Sequence, residues 1–408
     1  MVDKSKQPAP AEAGSGKPAA TAGEVAQPPV QGVETAVLDK TEKIMSSPLV
    51  DDSVKPLPPV SLNEGAEPHI ALLLPLKSAI FRSAAEAVLD GFQAAANLES
   101  RGREEGLTGA LPVRVYFCQD ESQDIVDLYQ QAIADGARAA VGPLTRSGVS
   151  ALAAWPDIYV PTLALNVVES SNAERLYFFG LAAEVEARQV AQLVKHDGLH
   201  QVIMITAQAP MAKRLQTAFE AEWRSLGGNI VKVIEFNGDP AVLAGIEVKP
   251  DTAAFFAVDV NKAQLIRSYL PNKFPIYGTS QLFVGNEDTL TNFDLSGVHF
   301  VDMPWLLQAD HPAVMIFSRA EPALPAGHER LYALGIDAFR LIRLMLVGKV
   351  NENLPLDGVS GQVHLNGHTF ERTGVPAVFT LGRAQLIDAP TSSAVPVQQF
   401  PDQPVSQP

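Results

Sequence analysis

The sequence predicts an α/β protein made of two doubly wound parallel-sheet lobes joined by a multi-strand hinge. Three observations predict it. Between about Pro68 and Asp388, short apolar runs alternate with segments of helical period, the mark of βαβ units. The alternation restarts after Phe178–Leu181, giving two similar stretches near 68–182 and 183–305. A long apolar helix and more strand-like residues follow, so the chain is expected to cross back between the lobes over 306–388.

The first lobe opens on His69–Leu76, a continuous apolar run suited to a strand buried on both faces. Ala84–Leu98 then carries apolar residues at helical spacing. Val113–Phe117 (strand), Ile125–Ala134 (helix), Ala139–Gly142 (strand), Ser147–Ala154 (helix) and Val160–Leu165 (strand) follow. The second lobe reads Val185–Lys195 as helix, Gln201–Thr206 as strand, Met211–Leu226 as helix and Ile230–Phe236 as strand. Ala241–Ile246, Ala253–Val258, Lys262–Leu270 and Ile276–Gly278 continue the pattern. Arg330–Val347 is the long apolar helix, and Pro355–Leu365 reads as strand-like.

The ends differ in chemistry. Residues 1–67 contain no aromatic residue and are dense in Pro, Ala, Gly and Ser. Such a segment cannot bury enough apolar area to offset an ordering entropy of about 1–2 kcal/mol per residue. A disordered leader or tether is expected there, and a second loose tail over 389–408. The start, Met1-Val-Asp-Lys-Ser-Lys, lacks the apolar core of a secretion signal. Two readings stay open: a cytoplasmic protein, or an exported one whose leader is absent from this chain.

Composition excludes several classes. With 31 Lys+Arg against 46 Asp+Glu in 408 residues, the formal charge is −15, which argues against a sequence-independent grip on nucleic acid or anionic lipid. One cysteine, Cys118, excludes an internal disulfide framework and a Cys-based zinc or iron–sulfur site. No apolar run approaches the roughly 18 residues of a membrane span.

Catalytic constellations are absent too. Gly14-Ser-Gly-Lys17 resembles the end of a phosphate loop, but Pro18 stands where Ser or Thr would hold magnesium. No G-x-G-x-x-G follows the first strand, and no G-x-S-x-G elbow occurs. His196/His200 are separated by the helix-ending Gly198, and His364/His368 flank the turn signal Asn366-Gly367, so neither pair reads as a metal site. Cys118 ends a buried strand with no partnered His in evidence. Neither catalysis, nor a cofactor, nor a metal is expected.

Ligands of open α/β sheets sit beyond the carboxyl ends of the strands. Polar residues at those ends are therefore the cleft candidates: Ser78, Thr145, Arg146, Ser147, Asn166, Thr206, Asp259 and Ser280. Thr145-Arg146-Ser147 opens a helix after Gly142-Pro143, where hydroxyls, free N–H groups and a guanidinium suit a carboxylate. The alternative is an N-cap plus a surface Arg. Asn166 suits an Asx-turn equally well. Asp259 is the one strand-end acid available for an ammonium. Trp223 and Trp305 read as core or lobe-packing aromatics, or else as interface anchors.

From about Pro68 to Asp388 the chain resembles the penicillin-binding-protein activator family, the LppC-like bacterial lipoproteins. The stretches run in family order. Ile70–Leu76 (IALLLPL), Val141–Arg146 (VGPLTR), Val160–Asn166 (VPTLALN) and Phe179–Ala187 (FGLAAEVEA) come first. Ala218–Asn229, Ile276–Ser280, Asp294–Leu307 (DLSGVHFVDMPWLL), Leu331–Leu341 (LYALGIDAFRL) and Gly358–Leu365 follow. The resemblance implies a type 1 periplasmic-binding-protein fold and a non-enzymatic role in the periplasm. That role is docking onto a class A penicillin-binding protein, a peptidoglycan synthase, and stimulating it. It also implies a lipid anchor in the outer membrane and, in many members, a preceding helical-repeat domain. Read from this sequence, a 67-residue leader is expected in place of that domain, and Cys118, in a core strand, is not expected to be the lipid acceptor. The second reading is a solute-binding receptor for an amino acid or similar small molecule, feeding an ABC transporter or sensor. A receptor needs convergent, unpaired polar groups in the cleft, whereas an activator can fill it.

Overall fold

Six consecutive buried residues, His69–Leu74, form β1 in the computed structural model, as expected of a central strand covered on both faces. Residues 61–101, 111–168 and 173–387 are described. All belong to one unit, Leu57–Pro408. Of the expected leader only 61–67 lies among them, and the expected tail lies outside them.

The chain continues as α1 (Arg82–Arg101), β2 (Val113–Phe117), α2 (Glu121–Ala134), β3 (Ala137–Val141), α3 (Arg146–Ala153), β4 (Thr162–Ala164) and β5 (Leu176–Phe179). It then forms α4 (Ala183–His196), β6 (Gln201–Thr206), α5 (Pro210–Ser225), β7 (Asn229–Glu235), β8 (Thr252–Ala257), α6 (Val260–Ser268) and β9 (Ile276–Gly278). Next come α7 (Thr289–Asp294), β10 (Val298–Asp302), and the single turns α8 (Pro304–Leu307) and α9 (Pro312–Met315). The 21-residue α10 (Ala326–Leu346) leads into β11 (Leu356–Asp357), β12 (Gln362–Asn366), β13 (Thr369–Thr373), β14 (Val375–Thr380) and β15 (Arg383–Leu386).

One sheet has the order β11-β12-β13-β5-β4-β3-β1-β2, the other β15-β14-β10-β9-β8-β6-β7. Pairing is parallel from β1 to β5 and from β6 to β10, and β13 adds to β5 in parallel. The late hairpins pair antiparallel, so each doubly wound sheet is mixed at one edge. The chain passes between the sheets three times: from β5 to α4, from β10 towards α10, and from β13 to β14. Pro355–Leu365, read as one strand-like stretch, is two strands, interrupted around Gly358–Gly361, whose backbones bond each other.

Each sheet carries helices on both faces. In the first, α1 and α10 cover one face and α2 and α3 the other. Helix α10 lies so close to α1 that a Cβ on Gly335 would overlap the Val88 carbonyl oxygen, and one on Gly91 the Tyr332 carbonyl oxygen. The two glycines let the backbones touch. In the second sheet α4 and α5 pack on one face, where Phe219 stacks on Phe255 at 4.0 Å. Trp223 and Trp305 are fully buried, so both belong to the core.

Candidate functional site

The loop after β3 illustrates how the strand ends are used. Thr145 caps α3, its Oγ1 accepting from the Gly148 N–H at 3.1 Å. The N–H groups of Leu144 and Thr145 donate to the Glu121 carboxylate at 2.9 and 2.6 Å. Glu121 sits in the first turn of α2, 2 % exposed. An internal carboxylate thus occupies donors that a ligand's carboxylate would otherwise engage. Burial pushes the Glu121 carboxyl above its ordinary range, against the pull of those donors.

The other candidates are placed as follows. Ser78 is buried and its Oγ accepts from the Phe81 N–H at 3.3 Å. Ser147 lies 3.3 Å from the Thr145 hydroxyl. Asn166 donates to the Leu144 carbonyl at 3.2 Å and accepts from the Val167 N–H at 3.0 Å. Asp259 caps α6 and pairs with Lys262 at 2.5 Å. The Thr206 hydroxyl is buried without a partner among the described residues. Ser280 donates through N–H and Oγ to Glu186, at 3.1 and 2.6 Å. Arg146 reaches Glu184 of the other lobe at 3.9 Å.

A buried charge network ties the crossings together, and sequence reasoning missed it. Glu186, on α4, pairs with Arg372 of β13 at 2.5 Å across the lobes. Arg330 of α10 holds Asp302, at the end of β10, at 2.6 Å through Nη2 and at 3.1 and 3.2 Å through Nε. The same Nη2 donates to the carbonyls of Ser280 and Phe283. Asp337, fully buried on α10, accepts from the N–H groups of Val359 and Ser360 and from the Ser360 hydroxyl. Gln189 bonds both backbone groups of Gly374, at 2.7 and 3.0 Å, where β13 passes into β14. Burial raises the Asp302 carboxyl against the pull of Arg330. The Cys118 thiol is pushed up to about 12 by burial and by neighbouring carboxylates, Glu121 first. A charge in the middle of an apolar helix, such as Asp337 within LYALGIDAFRL, was the available signal for this network.

Beside the network lies a cavity of about 590 Å³ between the lobes. Of the eight candidates it is lined by Arg146 and Asn166, joined by Arg188 from α4, Lys213 and Arg214 from α5, and Arg372. Arg214 is engaged bidentately by Glu184, at 2.5 and 2.9 Å. Burial pushes the Glu184 carboxyl up, but the Arg214 pairing, a backbone N–H and the Arg146 charge together hold it below its ordinary range. Among the described residues no group of His, Cys, Asp and Glu could hold a metal ion, and no helix is long and apolar enough to cross a membrane.

Comparisons with known proteins agree with this architecture. The family model described as "LppC putative lipoprotein" matches residues 60–249 and 241–372. Penicillin-binding protein activator LpoA of Haemophilus influenzae is 28 % identical over 289 residues, covering 67 % of this chain and 47 % of its own length. LpoA of Photobacterium profundum is 25 % identical over 354 residues, 76 % of this chain and 56 % of its own. The chain thus spans about half the length of the curated relatives it matches. A Chromobacterium violaceum structure titled a "putative branched-chain amino acid ABC transporter" is 36 % identical, with a TM-score of 0.65, covering 76 % of this chain and all of that one. Full-length LpoA of Haemophilus influenzae, at 24 % identity and TM-score 0.65 over 80 % of this chain and 59 % of its own, shares the fold.

Proposed function

The chain belongs to the LppC family, and from that premise we propose that it is a non-enzymatic periplasmic regulator of peptidoglycan synthesis. It binds a class A penicillin-binding protein directly and stimulates it. Lipid anchoring at the outer membrane, which the family's description as lipoproteins suggests, is part of the proposal. The relatives named penicillin-binding protein activators support the partner class.

The observation that carries the reading is the internal pairing of the strand ends. A solute receptor of this architecture needs polar groups free to meet a zwitterion. Here Glu121 takes the N–H pair after β3, Glu186 takes Ser280, and Arg330 takes Asp302. Breaking such pairs to admit an amino acid would leave buried charges exposed to a low dielectric, a cost of several kcal/mol. An activator acts through its surface and gains rigidity from strand ends that are paired internally. The receptor reading rests on the 36 % identity to the Chromobacterium chain.

Two titrations test the choice. Purified class A penicillin-binding protein from the same organism is expected to bind the immobilised full chain saturably. Leucine, isoleucine and valine are expected to give no heat of binding in calorimetry. Absence of synthase binding together with tight binding of one of these amino acids would replace the activator by the receptor.

A further inference from the structure

We propose that the cavity between the lobes is a binding site for a small ligand carrying two or more carboxylates on an amide-bearing body, a short acidic peptide. The inference stands apart from the synthase reading and rests on the cavity's charge balance. In a chain of formal charge −15, five cations and two acids line this one cavity. Both acids are engaged. Glu184 is held bidentately by Arg214. Glu371 accepts from Asn366 at 3.1 Å and lies 3.5 Å from His364. Of the cations, Arg372 is paired with Glu186 and Arg214 with Glu184.

That leaves three. Arg188 and Lys213 have no carboxylate within ion-pair distance among the described residues, and Arg146 reaches only the already engaged Glu184, at 3.9 Å. They come from three helices, α4, α5 and α3, around one space. Helix α4 also begins at this cavity with no capping side chain, which adds positive partial charge.

The ligand's chemistry follows from these groups. Three cations on separate elements suit acidic groups spaced along a molecule rather than one compact anion. An amino-acid zwitterion fits poorly, because its ammonium would find no free acid. The rest of the wall mixes Val185, Ala221 and Phe370 with the Asn166 amide and the Thr217 and Thr369 hydroxyls, which suits a peptide body. The volume of about 590 Å³ falls within the range for small-ligand sites.

Calorimetry on the full chain with tri-L-glutamate, tri-L-glutamine and inorganic phosphate tests the proposal. Triglutamate is expected to bind saturably, triglutamine not to bind, and phosphate to bind more weakly than triglutamate. The double variant Arg188→Gln/Lys213→Gln is expected to lose at least about tenfold in triglutamate affinity. Both residues are exposed, so its thermal midpoint and its synthase binding should match the parent's. No saturable binding of triglutamate, equal binding of triglutamine or of phosphate, or an unchanged affinity in the double variant would overturn the proposal. Loss of synthase binding by the parent chain would instead count against the activator reading alone.

Discussion

Replacing Arg330 by Met is expected to lower the unfolding free energy by about 3–5 kcal/mol, the cost of leaving one partner of a buried pair uncompensated. The Asp302 side chain is wholly buried and Arg330 is its one cationic partner among the described residues, with side-chain exposure of 12 % for the arginine. The loss has two parts. Asp302 keeps one hydrogen bond, from the Met303 N–H at 2.8 Å, and otherwise faces a low-dielectric interior. The carbonyls of Ser280 and Phe283 lose their donor as well. The double variant Arg330→Met/Asp302→Leu should recover much of the loss, because a buried pair replaced by apolar residues is often near neutral. Urea denaturation of the single and double variants measures both. A loss below about 1 kcal/mol in the single variant would mean that the pair is solvated rather than buried.

Gly335→Val is the second large expected effect, about 3 kcal/mol of destabilisation from overpacking. The position is helical, so a side chain there would ordinarily gain helix propensity over glycine. Contact decides the sign. The added Cβ would overlap the Val88 carbonyl oxygen and crowd the Phe92 N–H, both backbone groups of α1 that no rotamer change can move. Helices α1 and α10 would have to separate, loosening the edge-to-face contact of Phe92 and Phe339, centroids 5.2 Å apart, and the Arg343–Glu99 pair at 3.1 Å. A variant as stable as the parent in urea would show that the helices have room to part.

Most of the fold that was legible in the sequence is buried and continuous, as in β6 and β9, whereas β2, with only Tyr116 buried, was legible from its apolar content alone. Strands β2, β6 and β9 fall on their expected residues, Val113–Phe117, Gln201–Thr206 and Ile276–Gly278. Helix α10 begins four residues before its expected start, because Pro325 and Ala326 open a polar first turn ahead of the apolar run. The late hairpins were hard to read for the opposite reason. In β13, Thr369–Thr373, burial alternates, and its polar face hides a strand only five residues long. β14 carries Pro376, a residue that argues against a central strand in sequence but is accommodated next to the short edge strand β15.

The site was legible only in outline. Strand-end residues were the right place to look, and Thr145, Asp259 and Ser280 do sit there, each bonded within the protein. Their partners were invisible because Glu121 and Glu186 stand in the first turns of α2 and α4, where an acid ordinarily just complements the helix dipole. Only the tertiary fold turns those two side chains inward. Arg372 and Asp302, in turn, are charged residues at the ends of strands, and sequence alone does not tell a solvated strand end from a hinge crossing.

The most direct test of the activator account is the rate at which a purified class A penicillin-binding protein polymerises glycan strands from its lipid-linked precursor, with and without the full chain. The account predicts a rate that rises severalfold and saturates with chain concentration, in parallel with binding. A rate unchanged at concentrations that saturate binding would contradict it.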